Sequence, residues 1–306
     1  MMKKKILVVG GGYLKERIIS LKTSKAVIKS IKKMYNVKFC EPDQNFFRFV
    51  KTFRPNVIFN ALHGRFGEDG YIQSIFESLN VKYTHSGVLS SMLAMDKELS
   101  KYIFIKNDIL TPKFIILKNE NINLKIKKIK KIKKIFNSNV VIKPLNEGSS
   151  FDVYICNKNN LLKNLKKMKN YSEILVEELI PGREIQAAIM GKKKLGAIEL
   201  KPKRKFYDYK AKYNLSAKTE HIMPAKINSK KYNELMKIAL KAHNLLFCRG
   251  ITRSDFKFYK NKFYLLEVNT QPGMTNLSLV PEIAAYKGMN FKSLINWIIK
   301  DASKVR

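Results

Sequence analysis

Cysteine is rare in this chain of 306 residues, and its three copies, Cys40, Cys156 and Cys248, lie far apart. None of them belongs to a CxxC pair, which is the usual spacing of a zinc site or a redox motif. An odd, scattered set predicts a reduced, cytoplasmic protein that has neither disulfide bonds nor a cysteine-bound zinc ion.

Long apolar segments are also absent. After the basic start MMKKK, the apolar run at residues 6–9 is followed at once by glycines. A signal peptide needs a longer apolar region than this. No segment approaches the roughly 20 residues of a membrane span. We therefore expect no membrane association.

Acidic residues are few, 24 against 60 Lys and Arg, which gives a net charge of +36. Such a charge raises the alternative of a nucleic-acid-binding protein. Only nine of the basic residues are Arg, however, and Arg is the better reader of bases and phosphates. Abundant Lys, Asn and Ile are typical of a codon bias toward A and T, with Lys spread over a solvated surface. We therefore expect no specific nucleic-acid partner.

The chain does have a globular composition, with 45% hydrophobic residues, and its length suits two or three small domains. An apolar strand at residues 5–9 leads into three glycines and a helix, an arrangement that binds anions in many α/β folds. The GxGxxG spacing is missing, so this signal is weak. Glu16 falls in the first helical turn, either complementing the helix dipole or binding a substrate ammonium. Strands alternate with helices to about residue 90, which predicts a Rossmann-like domain.

A second strand, at residues 56–62, ends in the sequence HGRFGEDG. Ligands bind at such strand ends in open α/β sheets, which makes His63 a candidate, although a lone histidine is more often structural. A Lys- and Ile-rich run at residues 118–134 predicts a solvated helix face, and nucleic-acid contact there is the weaker interpretation.

Two loops are candidates for a functional role. The strand in VVIKPLNEGSS delivers Lys143 at its end, and the polar loop after it contains Ser149 and Ser150. Such a loop can cradle a phosphate, but an ordinary hairpin turn is the simpler interpretation. The segment KPKRKFYDYKAKYNLSAKTE lacks apolar periodicity, which is typical of a functional lid. Its Lys and Tyr residues also fit single-stranded nucleic acid, through stacking.

A hairpin with its turn at residues 259–262 brings three oxygen ligands together. Asp255 lies on its first strand, while Glu267 and Asn269 lie two residues apart on the second and share one face. Two carboxylates and an amide oxygen suit Mg²⁺, with water and phosphate completing the coordination shell. The alternative is a solvated strand face, but the apolar residues between these ligands indicate burial, where an acid needs a partner.

Taken together, these segments resemble the D-alanine–D-alanine ligase family of the ATP-grasp superfamily. The matches cover nearly the whole chain in the family's order: GGYLKERIIS, LHGRFGEDG, THSGVLSSMLAMDK, VIKPLNEGSS, VEELIPGRE, FYDYKAKY, RSDF and LLEVNTQPGMTNLSLVP. Each segment alone is a weak signal, whereas all of them in register are very specific. The resemblance implies an α/β fold, α+β overall, with a Rossmann-like domain at residues 1–94, a central domain at 95–178 and a C-terminal domain at 179–306 that carries a lid at about 201–219.

The resemblance also implies an enzyme, an ATP-dependent ligase that joins two D-alanines through an acyl phosphate for peptidoglycan synthesis, as a cytoplasmic homodimer. ATP would lie between the last two domains, bound by Lys97, Lys143, Ser150, Glu177, Ile180 and Glu184. Two Mg²⁺ ions, which Mn²⁺ can replace, would be held by Asp255, Glu267 and Asn269. D-alanine would be bound by His63, Lys212 and Leu279, and the catalytic residues would be Glu16, Ser149, Tyr213, Arg253, Gly273 and Ser278.

Within this scheme, Glu16 would bind the ammonium group of the first D-alanine. Arg253 and the N–H of Gly273 would stabilise the tetrahedral oxyanion. Ser278 would hold the carboxylate of the second D-alanine. Tyr213 would tie the lid to the site, which matters because water would hydrolyse the acyl phosphate.

Several positions depart from the family pattern, at Leu14, Phe151, Asp152, Leu179 and Lys257. Asp152 puts an extra acid close to the expected phosphates, where it would weaken ATP binding. A ligase that joins D-alanine to D-lactate is the alternative within the fold. A Lys-rich nucleic-acid-binding protein is the alternative from another class.

Overall fold

The computed structural model describes residues 3–118, 132, 134–136, 138–148, 152–202, 219–275 and 278–304. Its first sheet consists of β1 (Lys5–Val9), β2 (Asn36–Cys40), β3 (Val57–Asn60) and β4 (Lys82–Tyr83). These strands are parallel, in the order β2-β1-β3-β4. The connecting helices are α1 (Arg17–Ile31), α2 (Phe46–Phe53) and α3 (Tyr71–Ser78). The predicted Rossmann-like arrangement is confirmed.

The strand β3 ends two residues earlier than the predicted strand at residues 56–62. Its last residue, Asn60, redirects the chain: its side-chain oxygen accepts from the N–H of Leu62 (3.2 Å), and its amide nitrogen donates to the carbonyl of Gly67 (3.0 Å). The chain therefore leaves the sheet just before His63 and forms a loop over its C-terminal edge.

Two helices, α4 (Val88–Met95) and α5 (Lys97–Lys106), follow the first sheet. Asp96 separates them, and its carboxylate accepts from the backbone N–H groups of Glu98 and Leu99 (both 3.0 Å), which caps α5. This start places Lys97 and Lys101 on the buried face of α5. Buried lysines need ionic partners, and the next sheet supplies them.

The second sheet is antiparallel and surrounds a separate apolar core. It contains β5 (Phe114–Lys118), β6 (Val140–Pro144), β7 (Tyr154–Cys156) and β8 (Glu173–Glu178), in the order β5-β8-β6-β7, with α6 (Leu161–Lys167) between β7 and β8. The strand predicted to deliver Lys143 is confirmed as β6.

The third sheet is also antiparallel, in the order β11-β10-β9-β12-β13. Its strands are β9 (Arg183–Met190), β10 (Lys193–Lys201), β11 (Glu220–Ile222), β12 (Ile251–Tyr259) and β13 (Lys262–Asn269). The helices beside it are α7 (Ser229–Leu245), α8 (Leu279–Tyr286) and α9 (Phe291–Asp301).

The predicted hairpin β12–β13 is confirmed. Its two turn residues, Lys260 and Asn261, have positive φ angles of 45° and 61°, as two-residue hairpin turns require. One apolar core joins this sheet to the first one, through residues such as Ile6 on β1 and Ile198 on β10. The first and third sheets therefore share a core, and the second sheet forms one wall of a cleft. Within the described part of the chain, no helix has the length and hydropathy to cross a membrane.

Candidate active site

A cleft with about 790 Å³ of space unfilled by protein lies between the second and third sheets. The predicted nucleotide and metal residues that line it are Lys97, Lys143, Glu177, Ile180, Glu184, Asp255 and Glu267. The cleft thus brings together residues from α5, β6, β8, β9 and the β12–β13 hairpin.

The floor of the cleft contains a carboxylate shared by two lysines. The Nζ atom of Lys143 lies 2.6 Å from Oε1 of Glu177, and that of Lys101 lies 2.9 Å from Oε2. Burial raises the pKa of Glu177, but the two lysines outweigh burial, so that its pKa lies below the usual value. Burial likewise lowers the pKa of Lys143, but Glu177, Glu267 and Asp255 together raise it above its usual value.

Lys97 is 5% exposed, and its ammonium group is hydrogen-bonded to backbone carbonyl oxygens. Its Nζ donates to the carbonyl oxygens of Glu147 (2.7 Å) and Leu145 (3.3 Å), in the turn after β6. Burial lowers the pKa of Lys97 in spite of its attraction to Glu267. Lys97 therefore anchors the turn that begins the predicted phosphate loop, while its charge stays at the cleft.

The predicted metal ligands lie together at the other wall. Asp255 on β12 is directly opposite Glu267 on β13, and Asn269 is opposite Arg253. Both oxygens of Asp255 accept from Arg253, at 2.8 and 3.0 Å. The amide nitrogen of Asn269 donates to the carbonyl of Arg253 (3.4 Å), which leaves the amide oxygen for a cation.

This set of donors fits Mg²⁺, because carboxylate and amide oxygens are its preferred ligands. Among the described residues, no cluster of three His, Cys, Asp or Glu side chains is arranged for a metal. A cation here would therefore take its remaining ligands from water and phosphate, as Mg²⁺ at nucleotide sites does.

Lys257, one of the departures from the family pattern, lies in the same cleft. Its Nζ is 3.0 Å from Oε2 of Glu184, the residue predicted to bind ribose, and both side chains are largely buried. The unusual lysine thus has a partner, and the pair faces the cleft as a neutral unit.

A second group of predicted residues lies at the C-terminal edge of the first sheet. Glu16 is 3% exposed and packs so closely on Gly64 that a Cβ there would lie 2.5 Å from its carboxyl carbon. His63 is held by Thr23 and Glu68, each 3.0 Å from one ring nitrogen. A Cβ added to Gly148 would lie 3.6 Å from the Cα of Gly64. The phosphate-loop turn and the substrate loops are therefore in contact.

The remaining predicted residues follow β13. Gly273 lies against Ser278, whose Oγ would be 3.1 Å from a Cβ at this glycine. The hydroxyl of Ser278 accepts from the N–H of Thr275 (2.9 Å), just before α8. Leu279 begins α8 with its side chain in the core, so its backbone N–H is what it can offer a ligand. Gln271 donates to the carbonyl of Leu62, which joins this segment to the His63 loop.

Several predictions lie outside the described residues: Ser149, Ser150, Phe151, Lys212, Tyr213 and most of the lid and of the Lys-rich run. Asp152, at the edge of the first of these gaps, is described. Its carboxylate accepts from the hydroxyls of Tyr171 (2.5 Å) and Tyr154 (3.0 Å) and lies 3.7 Å from Nζ of Lys15. These hydrogen bonds, led by that of Tyr171, lower the pKa of Asp152. Asp152 is not among the described residues that line the cleft, and its effect on ATP binding stays a prediction.

Sequence reasoning missed Lys101 and the cation–anion contacts that surround the phosphate-loop turn. Lys101 is 0% exposed, yet a lysine in a helix normally indicates a solvated face. A signal was present: Lys97, Lys101 and Phe104 follow a spacing of four and three residues, which is one helical face. Arg65 was also missed, 3.6 Å from Glu147 across the contact between the first and second sheets.

Comparison with known proteins identifies the family. Residues 103–300 match the family model described as D-ala D-ala ligase C-terminus. The chain is 60% identical to a D-alanine–D-alanine ligase from Pelagibacter ubique, over 99% of both chains. Among solved structures, it is similar to a Bacillus anthracis D-alanine–D-alanine ligase complexed with ATP (TM-score 0.83, 29% identity, 97% of both chains). It is also similar to the VanG D-Ala:D-Ser ligase from Enterococcus faecalis (TM-score 0.82, 25% identity, 98% of this chain and 99% of that one).

The identity and coverage confirm the resemblance read from the motifs and the predicted ATP-grasp fold. The domain boundaries near residues 94 and 178 stay a prediction. The chain belongs to the D-alanine–D-alanine ligase family and is a ligase.

Proposed function

We propose that this protein joins two D-alanines to D-alanyl-D-alanine, with ATP as co-substrate, for peptidoglycan synthesis. A carboxylate oxygen of the first D-alanine attacks the γ-phosphorus of ATP, the bond to the β-phosphate oxygen breaks, and ADP leaves. The amine of the second D-alanine, having lost a proton from its ammonium form, then attacks the acyl carbon. A tetrahedral intermediate forms. It expels inorganic phosphate, and the dipeptide is the product that remains.

The observation that carries this proposal is the convergence of two lysines and two register-paired carboxylates on one cleft. Lys97 and Lys143 face Asp255 and Glu267 across it. Phosphoryl transfer depends on positioning and on cations more than on covalent chemistry. The cleft provides the cationic lysines and the carboxylates for a metal ion. Glu177 and Ile180 bind the adenine, and Glu184 binds the ribose.

The metal is part of the proposal. Asp255, Glu267 and Asn269 hold Mg²⁺, and Mn²⁺ can replace it. When bound, the cation neutralises charge that develops on the phosphate oxygens. Arg253, which pairs with Asp255, places its positive charge in the same region. Together with the N–H of Gly273, it stabilises the oxyanion.

At the amino-acid end, Glu16 binds the ammonium group of the first D-alanine, with His63 beside it. The buried carboxylate of Glu16 supports this role, because it lies next to Gly148 and thus beside the phosphate-loop turn. Ser278, Lys212 and the N–H of Leu279 hold the carboxylate of the second D-alanine. Ser149, Ser150 and Tyr213 complete the site in this proposal.

We also propose a homodimer. The helices α4 and α5 each expose an apolar stripe at three-residue spacing: Leu89 and Met92, then Leu99, Tyr102 and Ile105, all about half exposed. A second copy would cover this face. Light scattering on the Met92→Glu/Ile105→Glu double variant should then report a monomer, while Leu162→Glu on α6 should leave the dimer intact. The three free thiols are consistent with a cytoplasmic location.

The choice of second substrate has an alternative. A D-lactate or D-serine acceptor would need the same activated first D-alanine, and D-Ala:D-Ser ligase activity occurs on a similar fold. Competition of D-alanine against D-lactate and D-serine at neutral pH decides among them. Preference for D-lactate or D-serine would overturn the D-alanine assignment.

Oxygen-isotope transfer tests the acyl phosphate directly. With D-alanine labelled by ¹⁸O in its carboxylate, one labelled oxygen should appear in the released phosphate for each dipeptide formed. Unlabelled phosphate together with dipeptide would contradict the proposed intermediate, because the carboxylate oxygen leaves with phosphorus only if it attacked phosphorus.

A further inference from the structure

Lys101 belongs to a buried chain of charges beneath the nucleotide cleft. Its Nζ donates to the hydroxyl of Thr111 (2.7 Å) and lies 2.9 Å from Glu177, whose other oxygen is 2.6 Å from Lys143. The aromatic ring of Phe114 covers the ammonium group, 5.4 Å from the ring centroid. Lys101 and Glu177 are 0% and 3% exposed, so water screens their interaction very little.

Lys101 and Lys143 differ in what they face. Lys143 and Glu177 line the cleft, whereas Lys101 is not among the described residues that do. A ligand in the cleft can therefore meet Lys143, but it meets Lys101 only through Glu177. Any role of Lys101 in binding is then that of a positioning residue.

We propose that Lys101 neutralises Glu177 and so keeps the charge of Lys143 available for the phosphates of the nucleotide. Two ammonium groups share one carboxylate, and the three together have a net charge of +1, on the side where Lys143 meets the cleft. Without Lys101, Glu177 and Lys143 would form a neutral one-to-one pair. The phosphates would then compete with a buried carboxylate for the same ammonium group, and burial makes that competition strong.

The proposal rests on the proposed function, since it assumes a nucleotide in this cleft, and it predicts a specific pattern of affinities. In Lys101→Met, binding of Mg²⁺–ADP should weaken by about tenfold, which corresponds to roughly 1.4 kcal/mol. Binding of adenosine, which has no phosphate, should change by less than about twofold. Lys106→Met is the matched control, because Lys106 lies on the same helix and is exposed.

A second variant changes the charge in the other direction and keeps the shape of the side chain. Glu177→Gln frees both lysines, so the preference for ADP over adenosine should increase, although adenosine itself should bind more weakly if Glu177 reads the adenine. The preference for ADP over adenosine should thus decrease in Lys101→Met and increase in Glu177→Gln. If Lys101 had only a structural role, the two variants would not change this preference in opposite directions.

Calorimetric titration of the wild-type protein and the three variants with Mg²⁺–ADP and with adenosine decides the matter at neutral pH. An unchanged preference in Lys101→Met, or a decreased one in Glu177→Gln, would overturn the proposal. Circular dichroism checks the fold of each variant. Even if Lys101→Met does not fold, Glu177→Gln tests whether the preference for ADP over adenosine changes in the expected direction. Because the readout is binding, it is separate from the D-alanine reaction: wild type that binds no ADP would contradict the proposed function itself.

Discussion

At the scale of single residues, the site works by pairing its charges inside the protein. Glu177 is shared by Lys101 and Lys143, Glu184 pairs with Lys257, and Asp255 with Arg253. Buried ions without such partners would cost several kcal/mol each, on the order of the whole stability of a domain. Glu267 also acts across the cleft, since its charge raises the pKa of Lys143 from the opposite wall.

Glu267→Gln should abolish turnover and leave the fold intact. The substitution keeps the size of the side chain but removes a charged oxygen ligand of the proposed metal, so we expect a loss of at least about a hundredfold in kcat. Phosphate release at saturating Mg²⁺ measures it, and the thermal midpoint checks the fold.

The control is Glu220→Gln, an exposed carboxylate on β11 of the same sheet. It should keep wild-type turnover. Near-normal turnover of Glu267→Gln would defeat the metal assignment.

The sequence predicted these residues unevenly, for physical reasons. Asp255 and Glu267 were predicted because strand alternation and a short hairpin fix which side chains share a face. Lys101 was not, because burial of a lysine depends on an acid from β8, which is 76 residues away in sequence and brought near only by tertiary packing. Two partners of Asp152, Lys15 and Tyr171, were missed for the same reason.

At the scale of elements, contacts between loops connect the first sheet to the second. Lys15 reaches Asp152, and Arg65 reaches Glu147, on either side of the contact between Gly64 and Gly148. Both pairs are half-exposed, so each is worth little on its own, and salt screens them. They lie, however, beside Glu16, the proposed ligand of the substrate ammonium, so a small displacement there should change substrate binding.

Lys15→Gln should raise the KM for D-alanine by about threefold or less at low ionic strength, and the difference should shrink in high salt. The reason is that the Asp152 pair holds the Glu16 segment against the second sheet through a screened attraction. Initial rates at two salt concentrations measure it. Lys22→Gln, an exposed lysine on α1, is the control, and an effect of Lys15→Gln that is independent of salt would contradict this account.

The contact between α7 and β12 gives a pH-dependent stability. His243 on α7 is buried and lies 2.8 Å from the hydroxyl of Thr252, and burial lowers the pKa of His243 to about 4. The unfolded chain, with a histidine pKa of about 6.5, binds more protons than the folded one between these values. Stability therefore decreases as the pH falls below about 6.5.

His243 alone should account for about 2 kcal/mol of lost stability between pH 7.5 and pH 5. Urea unfolding at these two pH values measures it in wild type and in His243→Gln, which cannot titrate. The pH dependence of the variant should be smaller. Equal pH dependence in the two proteins would show that His243 does not titrate as its burial requires.

The elements themselves were largely predictable. The strand β1 and the hairpin β12–β13 follow the predicted positions, because apolar periodicity and turn residues are local signals. The early end of β3 was not predicted, since it depends on hydrogen bonds of a single side chain, Asn60.

At the scale of the whole molecule, the active site exists only because three sheets meet. The proposed nucleotide cleft lies between the second and third sheets, and the proposed amino-acid site adds the loops of the first sheet. Local sequence patterns do not predict how the three sheets are placed against one another. That prediction came from the family resemblance. The net charge of +36 is a property of the surface as a whole and does not by itself indicate a partner.

Phosphate release from ATP and Mg²⁺, measured with D-alanine, with L-alanine and with no amino acid, tests the central claim most directly. The account predicts release only with D-alanine, together with one dipeptide for each phosphate. Release that does not depend on D-alanine, or none with D-alanine in a protein that binds Mg²⁺–ATP, would contradict it.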